Sequence, residues 1–500
     1  MLSTFMEVLD TTVVNVSLPH IAGSLSATVE EATWTLTSYL VANAIILPLT
    51  GWLSNYFGRK RMLVISVTGF TIASFFCGLA PSLSFLIFFR VVQGACGGGL
   101  QPISQAVLLE SFPPEARGKA MGVWGLGVVV APMLGPVLGG WITDSYSWRW
   151  IFFINIPIGI ISIIMTKFFI VDPHYIRRKS GGVDYWGIGL LALGIATLQI
   201  VLDKGQEKDW FGTNWITALT VLSAVVIIGF IIYELRAKDP VVNLRVFKNR
   251  TYATGVFLMA VLGVGLYGSL VLIPLVLQTV LGYPPLQAGI AMSPRGLGSF
   301  IAMPVIGMIL AKVDARRLLI LGIVICSWTL IQLSRLNLNA GFWDFCWPQF
   351  CMGLSLGMLF VPLTTITMDP ISNEAMGNAT SLFNLVRNLG GSIGIAAVST
   401  IQTRREQTDI NILGAHVNPH NPGAAAMMGA LRHYFVAQGS DVVTAVRQAH
   451  AAMFGMVQQQ ASMIAYNTAF RILGIMFLGM IPFVLLMKRP KKKGGSVAAH

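Results

Sequence analysis

The stretch Gly51-Trp52-Leu53-Ser54-Asn55-Tyr56-Phe57-Gly58-Arg59-Lys60-Arg61 leaves a long apolar run and turns abruptly basic. A second stretch, Gly307-Met308-Ile309-Leu310-Ala311-Lys312-Val313-Asp314-Ala315-Arg316-Arg317, leaves another apolar run in the same way. Aligning them sets Gly51 on Gly307, Lys60 on Arg316 and Arg61 on Arg317. Gly94 and Gly98 have a rough counterpart in Gly353 and Gly357. Both copies keep one membrane orientation, so the chain reads as two parallel six-helix halves.

The runs around these stretches fix the solvent. Hydrophobic residues make up 54% of the chain and charged residues 11%. About fourteen runs approach the ~20 apolar residues that a membrane helix needs. The reading is an all-α membrane protein. Expected helices lie at 1–22, 33–54, 62–80, 84–109, 118–142, 149–171, 185–203, 214–236, 251–278, 286–311, 316–335, 344–368, 378–402 and 466–487. Residues 1–171 form the N-terminal six-helix half, 172–250 two inserted helices with linkers, and 251–487 the C-terminal half. Residues 488–500 form a basic tail.

The net charge of +13 does not mark a nucleic-acid partner. Basic residues cluster in alternate short loops, such as Arg59-Lys60-Arg61, Arg177-Arg178-Lys179 and Arg316-Arg317. That pattern encodes orientation and places those loops, and both termini, in the cytoplasm. No basic region or small-residue cleavage site follows Met1, so no cleavable leader is expected. A span starting at Met1 puts its amine at the membrane edge, which suggests residues upstream of this sequence. The five cysteines make no CxxC pair and read as small core residues. The seven histidines fall mostly in loops or at the terminus. Nothing resembles a catalytic cluster, a metal-ligand set or a phosphate loop, so neither enzyme activity nor a cofactor is expected.

Segment 403–465 is too polar to span and lies outside. Asn418 to Gly423 reads as a loop, and 424–464 as an amphipathic helix. It is either a lid over the outer mouth or a docking surface for a partner.

Five helices carry chemistry. Glu7 and Asp10 are three apart in the first helix and share a face. A carboxylate in a span is costly, so it faces the bundle interior or a wet cavity. Either can load and release a proton as access switches. Asp10 is the favoured proton carrier, and Glu7 a second proton group or a cargo-facing one. Arg90 in the fourth helix stays charged and needs an anionic partner, for which Asp10 is the natural candidate. In the fifth helix Gly122, Pro132, Gly135, Pro136, Gly139 and Gly140 combine bends with close packing, either as a pivot for rocking or as a kinked packing helix. Asn15, Gln93, Arg295, Asn384 and Arg387 are candidates for a cargo cavity or gate.

Together these segments resemble the 14-helix drug:proton antiporter family of the major facilitator superfamily. The resemblance rests on Leu9 to Val16, Gly51 to Arg61, Arg90 with Gly94, Gly135 to Gly140, and Trp148 to Gly159. It implies a proton-coupled exporter of hydrophobic or amphiphilic compounds in a bacterial inner membrane, with Asp10 and Arg90 in the proton-coupling roles. It further implies more residues before the first helix. It also implies a periplasmic adaptor working with segment 403–465 and, through it, an outer-membrane channel. Two positions depart from the family pattern. Asn55 stands where an acidic residue is usual, which argues against a charge-based latch there, and Ala131 stands where Gly is usual. An exporter of one defined metabolite, such as a fatty acid or siderophore, is the alternative in the same fold.

Overall fold

A computed structural model describes residues 1–172, 184–237, 240–418 and 420–487. The chain is helical throughout these residues. In order they are α1 (Leu2–Ser24), α2 (Val29–Phe57), α3 (Arg59–Gly78), α4 (Leu83–Gly97), α5 (Leu100–Ser111), α6 (Pro114–Ser145), α7 (Trp150–Phe153), α8 (Asn155–Phe169) and α9 (Tyr185–Lys204). There follow α10 (Asn214–Arg236), α11 (Arg250–Leu275), α12 (Pro285–Ile309), α13 (Ala315–Leu333), α14 (Phe342–Met368), α15 (Met376–Ala415), α16 (Pro422–Ala437), α17 (Val442–Leu478) and α18 (Ile481–Leu486). The arginine and lysine clusters expected at 177–179 and 488–493 lie outside the described residues.

Polar residues at the starts of the helices satisfy backbone donors that the helix itself cannot. Thr28 accepts from the Glu31 amide at 3.1 Å, and Glu31 accepts from the Thr28 amide at 2.8 Å. Asp184, Asn249, Asp314 and Asp441 cap α9, α11, α13 and α17 in the same spirit.

Eleven helical segments are long and apolar enough to cross a membrane. The helices α1, α12 and α15 are long enough but too polar by composition, because they carry the candidate site residues. Eleven of the fourteen expected spans are therefore recognisable by length and composition among the described residues. Gly98 and Gly99 split the expected helix 84–109 into α4 and α5, and Ile154 divides the expected helix 149–171 into α7 and α8.

The largest difference from the sequence reading is at 403–465. The spans do not end at the membrane. The 40-residue α15 and the 37-residue α17 run on into this segment, with α16 packed against α17. The single amphipathic helix expected at 424–464 is broken at Gly439, whose φ of +94° is left-handed, and restarted by the Asp441 cap.

Helix packing reproduces the sequence repeat. A Cβ on Gly94 would strike the Tyr39 carbonyl of α2, and one on Gly353 would strike the Arg295 carbonyl of α12. Thus α4 lies on α2 as α14 lies on α12. At the basic end, a Cβ on Gly51 would sit 2.7 Å from Asn378 Cα on α15, and one on Gly307 would sit 2.7 Å from the Gly118 carbonyl on α6. These two backbone contacts join the bundles at matching positions. Met376 to Leu385 are all buried there. At the opposite end Asn15, Val16, Pro136 and Val137 are exposed. The two bundles thus meet backbone to backbone at the basic end.

The helices α9 and α10 pack on each other, and α9 lies against both α2 and α15. Lys204 donates to Thr33 at 2.6 Å on one side, and Gln199 donates to Ser392 at 3.0 Å on the other.

Candidate functional site

Two polar networks occupy the apolar interior, one turn of α1 apart. In the first, Asp10 is 1% exposed and Arg90 is fully buried. The Arg90 guanidinium donates from Nη1 to Asp10 Oδ2 at 2.6 Å. The other carboxylate oxygen accepts from Gln93 at 3.0 Å and from Asn155 at 2.8 Å. Arg90 also donates to the Thr35 carbonyl at 3.0 Å and to Gln93 Oε1 at 2.8 Å. Its guanidinium stacks on the Tyr39 ring at 4.1 Å. A charged pair survives in such a place only when its remaining lone pairs and protons are met. Asn155 and Ser74, bonded at 3.0 Å, extend this second layer. Asn155 falls inside the stretch Trp148 to Gly159. Nothing in local spacing connects it to Asp10 across 145 positions.

In the second network Glu7 accepts from Asn43 at 3.0 Å and from Gln101. Gln101 in turn accepts from Arg387 on α15, so one amide side chain links α1 and α5 to α15. Arg387 also donates to Asn388 at 3.1 Å. Nearby, Asn384 donates to Gln105 at 2.5 Å.

A cavity of about 110 Å³ opens beside Glu7. Tyr39, Asn43, Gln101, Tyr267 and Asn388 line it, and Gln199 of α9 reaches its wall. Asp10 does not line it. Tyr39 stands between the cavity and the Asp10–Arg90 pair.

The remaining candidates fall elsewhere. Arg295 is fully buried inside the other bundle and donates to Ser269 at 3.2 Å, with Nε and Nη2 unpartnered. Asn15 is exposed on α1. The fifth-helix glycines divide their work. Gly135 and Gly139 seat α1 at Thr12 and Val13, and Gly122 seats α12 at the Met303 carbonyl. Pro132 lines the cavity. Pro136 is exposed, and Gly140 has open space around its Cβ position.

The basic loop holds charge contacts that its sequence concealed. Arg59 is buried in an ion pair with Glu110. Asp172 accepts from the Lys60 amide at 2.8 Å and crowds Gly58, whose φ is +88°. Lys60 is half-buried and Arg61 exposed. The missing acid at Asn55 therefore does not remove charge pairing from this end; other carboxylates provide it.

The chain as a whole matches one large family. The model of the Major Facilitator Superfamily matches residues 1–395. This chain belongs to the major facilitator superfamily. It is 39% identical to the multidrug export protein EmrB of Escherichia coli over 99% of this chain and 95% of that protein. It is equally 39% identical to the fatty acid resistance protein FarB of Neisseria gonorrhoeae, over 99% and 96%. Among solved structures, the proton:xylose symporter XylE superposes with a TM-score of 0.61 at 15% identity, covering 98% of this chain and 94% of that one. That likeness bears on the fold alone. Members of the superfamily are membrane carriers, and this chain is a multi-pass membrane protein of the multidrug-export kind.

Proposed function

We propose that this protein is a proton-driven exporter of hydrophobic or amphiphilic compounds in a bacterial inner membrane. The basic end and both termini face the cytoplasm, residues 1–171 and 251–487 act as the two moving halves, and 172–250 is an insertion between them. One observation carries the reading: Asp10 and Arg90 form a buried ion pair one helical turn from a cavity whose wall includes Glu7. Protonating Asp10 removes the charge that holds Arg90 and leaves that guanidinium with Gln93 and the Thr35 carbonyl. That is a two-state element that a proton biases. The cavity joins apolar walls to a few amides and one carboxylate, which suits amphiphiles with varied polar groups.

The backbone contacts at Gly51 and Gly307 must part for the cytoplasmic end to open. The glycines allow close approach without interlocking side chains. The membrane voltage supplies roughly 2.3 kcal/mol per charge per 100 mV for the inward proton. The helical projection of α15, α16 and α17 is the surface for a periplasmic adaptor, through which an outer-membrane channel is reached. Exposed Tyr434, Val442, Val443 and Phe454 on it support that role over a lid.

The test is transport by the purified protein in vesicles, read by an internal pH dye. Adding an amphiphilic dye such as ethidium should alkalinise or acidify the lumen according to the direction of exchange. Cargo movement with no linked proton flux contradicts the reading. The likeness to FarB favours a second reading, export of one defined amphiphile such as a fatty acid. A single tight competitor in a cargo panel supports it.

A further inference from the structure

Away from the central cavity, a pocket of about 470 Å³ lies where α15 and α17 leave the bundle and meet the end of α11. Glu406, Gln402, Gln458 and Tyr466 line it. The last turn of α11 continues there as a π-helix, Val276–Val280, a distortion often found at functional sites. Gln459 donates to the Val280 carbonyl at 2.7 Å and ties α17 to that turn.

Glu406 is the telling residue. It is half-buried and accepts from Gln402 at 2.6 Å and from Ser462. No basic side chain among the described residues pairs with it; the neighbouring Arg405 is bonded to Asp409 at 3.1 Å. A carboxylate held by two neutral donors in a pocket of this size leaves its charge uncompensated. The pocket is large enough for a drug-sized molecule. Tyr466 adds an aromatic ring, which favours a cation over a neutral guest.

Position on the helix links this pocket to the central cavity. Asn388, Ile395, Gln402 and Glu406 follow at intervals of seven, seven and four along α15. At 100° per residue these side chains share one face, and Glu406 stands about 27 Å beyond Asn388. Asn388 lines the central cavity and Glu406 the outer pocket.

We propose that Glu406 forms a second, outer binding site for organic cations, through which positively charged cargo passes after leaving the central cavity. The site rests on the exporter reading for its purpose but not for its binding chemistry, so the two fail separately. Equilibrium dialysis of the full-length protein in detergent, with radiolabelled tetraphenylphosphonium, tests it without any proton gradient. Wild type should bind the cation at two sites. Glu406→Gln should weaken one of them by about tenfold, the scale of a lost charge-assisted contact. Glu406→Asp should keep it, and uncharged triphenylphosphine oxide should bind both variants as it binds wild type. Unchanged cation binding by Glu406→Gln overturns the proposal. So does equal loss of the uncharged probe, which would make Glu406 a packing residue.

Discussion

Arg90 and Arg295 are both fully buried, one in each bundle, and they are held in different ways. Arg90 meets a carboxylate, an amide, a carbonyl and an aromatic face, and only its Nη2 lacks a hydrogen-bond partner. Arg295 has one hydroxyl, and two of its nitrogens have no partner. Yet the backbones around them correspond, for α4 sits on α2 as α14 sits on α12. The repeat is kept in packing and not in charge pairing, since Arg90 faces a buried carboxylate and Arg295 a hydroxyl. A paired charge can be released by a proton. An unpaired guanidinium has no acid to titrate and contributes only a fixed positive field.

The comparison breaks most readily at Asp10. Asp10→Ala strands Arg90, and removing one partner of a buried pair costs about 3–5 kcal/mol. Denaturant or thermal unfolding in detergent should show that loss, while Asp10→Asn should fold and lose proton-driven efflux. Equal stability of Asp10→Ala and wild type would mean that Arg90 finds other partners. Next comes the symmetry of packing. Gly51→Val and Gly307→Val each force a side chain into opposing backbone, at about 1–3 kcal/mol. Similar losses are expected from both. A strong loss from only one would break the equivalence of the two junctions.

Arg295→Met should be milder. Replacing a buried, poorly paired charge with an apolar side chain is neutral or stabilising by about 1 kcal/mol, and transport should persist. Lost coupling in this variant would place the switch in both bundles. The smallest effect concerns the outer projection. The hydrogen bond from the Thr444 side chain, followed by the Thr444 and Val443 amides, holds the Asp441 carboxyl below its usual range. A depressed carboxylate contributes stability above its unfolded pKa and loses it as pH falls through the folded one. Hydrogen exchange at the first turn of α17 should therefore quicken only in acid below the ordinary carboxylate range. An unchanged rate there would remove Asp441 as the cap.

The sequence made much of this legible because membrane physics leaves few options. Apolar runs, basic loops and the Gly51/Gly307 repeat announce the spans and their arrangement. The cost of burying Asp10 and Arg90 announces that they need each other. What stayed hidden lies across long separations or depends on continuity. Asn155 reaches Asp10, and Gln101 bridges Glu7 to Arg387, through contacts that no local period encodes. Composition hid the length of α15 and α17, since their projecting parts are too polar to look like membrane helices.

The central claim is that a proton on Asp10 competes with Arg90 and is exchanged for cargo. Proton release on adding ethidium to the solubilised protein, in weak buffer at fixed pH, measures that exchange without a membrane. Wild type should release protons in proportion to ethidium bound, and Asp10→Asn should bind the dye and release none. Identical release from the two proteins would contradict the claim.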